Sequence, residues 1–348
     1  MSRSQKNILS LLVILVLAFV AYRLSIGSGG STLADVALTE FAIQDTGSIG
    51  SFSVEDALGR KVVITRRSDG FWDLNDRYIA MPHMVDLILR TFKNVGIQNP
   101  VPEAQRETAM RILLGDTRKV KITDKEGKWI KTWHVGRATQ NNQGTFALLE
   151  TPEDGISKDP FIIEYRGFRG YLTTRFHARE IDWRWTGVFH FPELDIRSLH
   201  VETPRDPSRG FLVDIQSVLD GEFQLKDHSS APIAMDKGSV LEYIQQFKSV
   251  NVEHFQPDIT EAQADSILAL PPDIRFTVTD TEGETASCDL YFRATPQVLR
   301  NRMTNPPVID PERVFINLNG DLAYGQRLTF DRIIATVDDL RAEELESR

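Results

Sequence analysis

Apolar and polar residues alternate with period two over several short stretches of this chain, then switch to helical spacing, and the switch occurs twice in the same order. In the first half, strands are predicted at Phe41–Ile43, Ser51–Val54 and Lys61–Arg66, with an Asp69-Gly70 turn leading into Phe71-Trp72-Asp73-Leu74. Met84, Val85, Ile88, Phe92 and Val95 then recur at helical spacing behind Pro82, a residue suited to a first helical turn. A second helix is expected from Glu103 to Leu114, stopping at Gly115, followed by a hairpin of Lys119–Thr123 and Lys128–Val135. The second half predicts strands at Ser198–Glu202, Phe211–Ile215 and Glu222–Leu225. A helix is expected from Lys237 to Val250, with Val240, Leu241, Ile244 and Phe247 inward and Asp236 at its cap. Thr260-Glu261-Ala262-Gln263 reads as a capping box opening another helix, and Arg275–Thr279 with Ser287–Phe292 as the matching hairpin. The chain is expected to close on a helix whose apolar face is Phe330, Ile333, Ile334, Val337 and Leu340.

Short identities reinforce the parallel. Ile122-Thr123-Asp124-Lys125-Glu126-Gly127 returns as Val278-Thr279-Asp280-Thr281-Glu282-Gly283, Ile79-Ala80-Met81 as Ile233-Ala234-Met235, and Arg137-Ala138 as Arg293-Ala294. A nearly constant offset of about 155 positions indicates an internal duplication. Strands mixed with helix pairs, without regular βαβ alternation, predict an α+β class of mostly antiparallel sheet, with a helix pair covering one face of each sheet.

Upstream, Arg3 and Lys6 precede an apolar run from Ile8 to Tyr22, which Leu24 and Ile26 extend beyond Arg23. The reading is a cytoplasmic N-terminus at 1–7, a transmembrane helix at 8–26 in contact with membrane lipid, and a Gly/Ser tether at 27–35. The tandem modules then occupy 36–190 and 191–348. No small-x-small cleavage site follows the run, which favours an uncleaved anchor over a removed signal peptide. Either way the bulk of the chain is expected on the periplasmic side of the cytoplasmic membrane.

Composition narrows the classes. A chain of 348 residues that is 41% hydrophobic and 26% charged is that of a folded protein with one apolar segment rather than many. Its net charge of −9 argues against a nucleic-acid partner, which needs basic surface. The only cysteine, Cys288, excludes an intrachain disulfide, and its alternating surroundings predict burial.

The ordered motifs Asp69-Gly70-Phe71-Trp72-Asp73-Leu74, His134-Val135-Gly136, Gly144-Thr145-Phe146-Ala147-Leu148-Leu149, Pro160-Phe161, Gly167-Phe168-Arg169-Gly170-Tyr171-Leu172, Arg175-Phe176 and Asp182-Trp183-Arg184 together resemble the bacterial domain-of-unknown-function family 4340, in its Bacteroidota form. The resemblance covers nearly the whole exported chain. It implies a single-span envelope protein, with some relatives associated with gliding-type ABC transporters, and brings no catalytic residues with it.

No phosphate loop, nucleophile elbow or His-Glu-x-x-His signature occurs, so no catalytic, cofactor-binding or metal-ligating residue is assigned and no cofactor is expected. The densest polar and aromatic cluster runs from His177 through Asp182, Trp183, Arg184 and Trp185. Trp183 and Trp185 offer stacking surfaces for a sugar ring and Asp182 and Arg184 hydrogen bonds to its hydroxyls, but the preferred reading is a structural junction, since tryptophans at alternating positions commonly wedge domains together and arginines pair with nearby acids. The leading expectation is a non-enzymatic, membrane-anchored protein presenting two modules to an envelope protein partner. A periplasmic glycan binder with a cleft at the module junction is the alternative, and an envelope hydrolase the weaker one.

Overall fold

Period-two alternation builds two large antiparallel sheets, one in each of two compact units that divide between Trp185 and Thr186. The computed structural model describes residues 41–255 and 258–342. In unit 1 the chain runs β1 (Ile49–Asp56), β2 (Lys61–Arg66), β3 (Trp72–Leu74), β4 (Tyr78–Ile79), α1 (Pro82–Asn94), β5 (Val95–Pro100), α2 (Glu103–Gly115), β6 (Arg118–Asp124), β7 (Trp129–Ala138), β8 (Thr145–Thr151), β9 (Gly155–Ile156) and β10 (Phe161–Tyr165). Unit 2 contains β11 (Gly187–Phe189), β12 (Ile196–Glu202), β13 (Phe211–Ser217), β14 (Glu222–Asp227), β15 (Pro232–Ile233), α3 (Lys237–Gln245), β16 (Val250–Asn251), β17 (His254–Phe255), α4 (Glu261–Leu268), β18 (Ile274–Asp280), β19 (Thr285–Ala294), α5 (Gln297–Arg300), β20 (Ile309–Leu318), β21 (Asp321–Gln326), α6 (Arg327–Phe330) and α7 (Val337–Leu340).

One strand order serves both units. The first sheet reads β4-β3-β2-β1-β6-β7-β8-β10-β5, with β9 beside β8, and the second β15-β14-β13-β12-β18-β19-β20-β21-β17. The repeated hexapeptide is the β6–β7 and β18–β19 turn. Asp124 Oδ1 accepts from the Glu126 and Lys128 amides at 3.1 and 2.7 Å, and Asp280 Oδ1 from those of Glu282 and Glu284 at 2.9 and 2.8 Å. Gly127 and Gly283 follow at φ +80° and +92°, where a Cβ would be strained. Ile79-Ala80-Met81 and Ile233-Ala234-Met235 receive the tail of their own unit. The Met81 amide donates to Trp183 O at 2.7 Å and the Trp185 amide to Ile79 O at 2.9 Å, as the Asp236 amide does to Leu340 O and the Ala342 amide to Ala234 O.

The expectation of an α+β fold with helix pairs on one face does not hold. The architecture is mostly antiparallel β-sheet, and its helices do not share a face. In β8, Ala147 and Leu149 join the main core beside Val85, Ile88 and Phe92 of α1. Their alternate neighbours Phe146 and Leu148 pack with Ala109 and Leu113 of α2 on the opposite side. Unit 2 repeats the division: Phe315 and Tyr324 meet Ile267 and Leu268 of α4, whereas Ile316 shares the face of Leu290 through direct pairing. Residues 8–26 lie outside the described residues, and among those described no helix is long and apolar enough to cross a membrane.

Two local expectations also change. Phe41–Ile43 is buried but forms no strand; the Ile43 amide bonds to Phe92 O at the end of α1. The closing helix is broken into α6 and α7. Thr336 restarts it, its amide and hydroxyl bonding to Asp339 Oδ2 at 2.7 and 2.8 Å, so local capping overrides the continuous apolar stripe.

Candidate functional site

The order β2-β1-β6-β7 brings four charged strand ends to one end of the first sheet. Asp56 closes β1 and lies opposite Arg118 in the β1–β6 register; Arg60 leads into β2, and Arg137 nearly closes β7. Together with Asn142 and the segment Tyr171–Asp182 they line a cleft of about 430 Å³.

Carboxylates fix the guanidinium groups. Arg60 donates from Nε and Nη2 to Asp56 Oδ2 at 2.7 and 2.6 Å. Asp116, just past α2, accepts from Arg118 Nη1 at 3.1 Å and from Arg137 Nε at 2.8 Å. Arg179 makes a two-pronged contact with Asp182 at 2.9 and 2.6 Å. In the Arg60, Arg137 and Arg179 pairs the acid is the more buried partner: the Asp56 and Asp182 side chains are 8% and 18% exposed, against 51% for Arg60 and 57% for Arg179. Burial would raise the Asp56 carboxyl, but hydrogen bonds from Arg60 and the Leu58 amide outweigh it and hold it below the usual range. The Arg137 hydrogen bond holds Asp116 low in the same way, and Asp182 holds the Arg179 proton more firmly than usual.

Of the cluster singled out in the sequence, His177 and Asp182 line this cleft, their Nδ1 and Oδ2 atoms 3.5 Å apart. The other three pack against unit 1. Trp183 is completely buried, donates from Nε1 to His177 O at 2.7 Å and meets Phe52 edge-on at 5.7 Å. Such a ring has no face to offer a sugar. Trp185 stacks on Phe71 at 5.5 Å, and Arg184 lies 3.9 Å over the Tyr78 ring. The arginines of the cleft escape sequence inspection because they are scattered from Arg60 to Arg179. The repeat of Arg137-Ala138 as Arg293-Ala294 was the one hint.

In unit 2, Arg293 and Ala294 border a different cleft of about 460 Å³, between α4 and the face carrying Phe315 and Tyr324. Here the arginines are absorbed: Arg293 Nε bonds to the buried Asp310 at 3.0 Å, and Arg313 grips Glu253 at 2.8 and 2.7 Å. Both lie near the Tyr324 ring, at 4.9 and 5.3 Å. Helix α4 is shorter than α2 and buries none of its residues, which leaves this side open. Among the described residues no group of three or more His, Cys, Asp or Glu side chains is placed to hold a metal ion. No protein-family model, curated protein or solved structure matches the chain.

Proposed function

We propose that this chain is a non-enzymatic, exported envelope protein whose two repeated β units are recognition surfaces for another protein. The observation that carries the reading is a repeated frame with divergent decoration. Both units share one strand order, one hairpin turn and one tail pairing, yet Arg137 stands largely exposed at its strand end in the first while its counterpart Arg293 in the second is largely covered and bonded to the buried Asp310. Repeating a frame and varying its surface yields two related binding faces, whereas catalysis needs one preorganised constellation. Association with the membrane through residues 8–26 and exposure on its outer side belong to the same proposal. A place beside an ABC-transporter assembly rests on the resemblance to family 4340 alone.

Cross-linking of the full chain in intact cells, followed by detergent extraction and mass spectrometry, tests this reading. The expected result is a reproducible envelope partner with cross-links on the sheet units. A chain found only in the cytoplasm, or one that forms no cross-links there, overturns it. Small-ligand binding is the second reading, favoured by the arginine-rimmed cleft of unit 1.

A further inference from the structure

We infer that the unit 1 cleft is a binding site for a small ligand bearing an oxyanion, a carboxylate or a phosphate group. The inference is independent of the protein-partner reading, because it rests on the interior of one unit.

Charge disposition is the first support. Four guanidinium groups, those of Arg60, Arg118, Arg137 and Arg179, and two carboxylates, those of Asp56 and Asp182, line the cleft, and a third carboxylate, that of Asp116, pairs with Arg118 and Arg137. One positive charge is left over, on a chain whose net charge is −9. For Arg60, Arg137 and Arg179 the acid lies inward and the guanidinium outward, so an approaching ligand meets the cationic member first.

Donor capacity is the second. A guanidinium has five N–H donors and no acceptor. The contact with Asp116 uses Nε of Arg137 and leaves both of its terminal nitrogens for a ligand; Arg60 and Arg179 each engage their acid through Nε and Nη2, leaving Nη1. The two terminal nitrogens of Arg137 match the two oxygens of a carboxylate or phosphate, Arg60 and Arg179 add single Nη1 donors, and acids already hold all three side chains in place, which lowers the ordering cost of binding.

Size and lining are the third. A volume of about 430 Å³ falls within the range of small-molecule sites. Its wall adds Thr174, Asn142 and the half-exposed Tyr171, polar residues that suit a ligand of monosaccharide size with hydroxyls beside its acid, while the Thr173 hydroxyl is taken up by Gly136 O at 2.7 Å.

The test is titration calorimetry on the full chain in detergent with glucuronate, citrate and inorganic phosphate, and glucose as the neutral control. Saturable binding of at least one anion and none of glucose is expected, weakening as salt is raised. Arg137→Ala and Arg179→Ala are each expected to weaken it about tenfold or more, while the thermal midpoint stays close to that of the parent. If Arg137→Ala lowers the midpoint, Arg137→Gln, which keeps a donor for Asp116 without the charge, is expected to show the same loss of binding. Preference for glucuronate or citrate identifies a carboxylate ligand, and preference for phosphate a phosphorylated one; both support the inference. Absence of saturable binding by all three anions, or binding undiminished in the double variant R137A/R179A, overturns it.

Discussion

Trp183 closes the core of unit 1 from the tail side, with its indole nitrogen bonded to the His177 carbonyl and its backbone carbonyl bonded to the Met81 amide. Trp183→Ala removes a fully buried ring and is expected to cost about 3–5 kcal/mol, read as a lower denaturant midpoint for unfolding of unit 1. Trp185→Ala, which loses one stacked contact with Phe71, is expected to cost clearly less. Equal losses would mean that burial at these two sites is not as described. Cys288 sits in the core of unit 2, and burial pushes its thiol pKa well up. Iodoacetamide is therefore expected to leave the native protein unlabelled at pH 8 and to label it once denatured, as intact-mass measurement would show. The burial of Cys288 was legible in the alternation around it; for Trp183 the sequence favoured a structural wedge over a ligand platform, but its polar neighbours Asp182 and Arg184 did not show that it would be buried completely.

At the scale of elements, the sheet depends on close approaches that a sequence does not display. Gly50 lies where β1 bulges against the end of β6, and a Cβ there would stand 2.6 Å from the Lys125 Cα. Gly50→Ala is expected to destabilise unit 1 by about 1–3 kcal/mol, since the obstacle is backbone and cannot rotate away. In unit 2 the Arg313 hydrogen bonds hold the Glu253 carboxyl below its ordinary value of 4.5. A depressed folded-state pKa contributes stability that is present above about 4.5 and is lost as pH falls through the lower folded value. Acid unfolding of unit 2 is expected to become less pH-dependent in Glu253→Gln; an unchanged acid limb in chemical denaturation would remove this pair from the account. The inward stripe of α1 was readable from spacing. Which face of the sheet α2 and α4 would cover was not, because β8 and β20 are apolar on both sides and periodicity within a helix says nothing about the partner surface.

For the whole molecule, repetition organises everything described. The same strand order in both units, down to the turn at Gly127 and Gly283 and the tail bonded after β4 and β15, makes each unit a complete frame with its own core. If residues 8–26 hold the chain at the membrane, the full protein is expected to resist extraction by alkaline carbonate and a chain lacking those residues to wash free. Equal extraction of the two would sink the membrane part of the proposal while leaving the sheet units untouched.

By itself the sequence determined what is local or periodic: where most strands and turns lie, how α1, α3 and α4 begin, and that two stretches of chain repeat one plan. Such features depend on neighbours within a few residues, or on comparison of one stretch with another. Only the tertiary structure decided that sheet rather than helix dominates, that the two main helices of each unit take opposite faces, and that Asp56, Arg118, Arg137 and Arg179 meet around one cleft. Those outcomes depend on strand register between residues far apart in the chain, and register is set by the packing of the whole sheet.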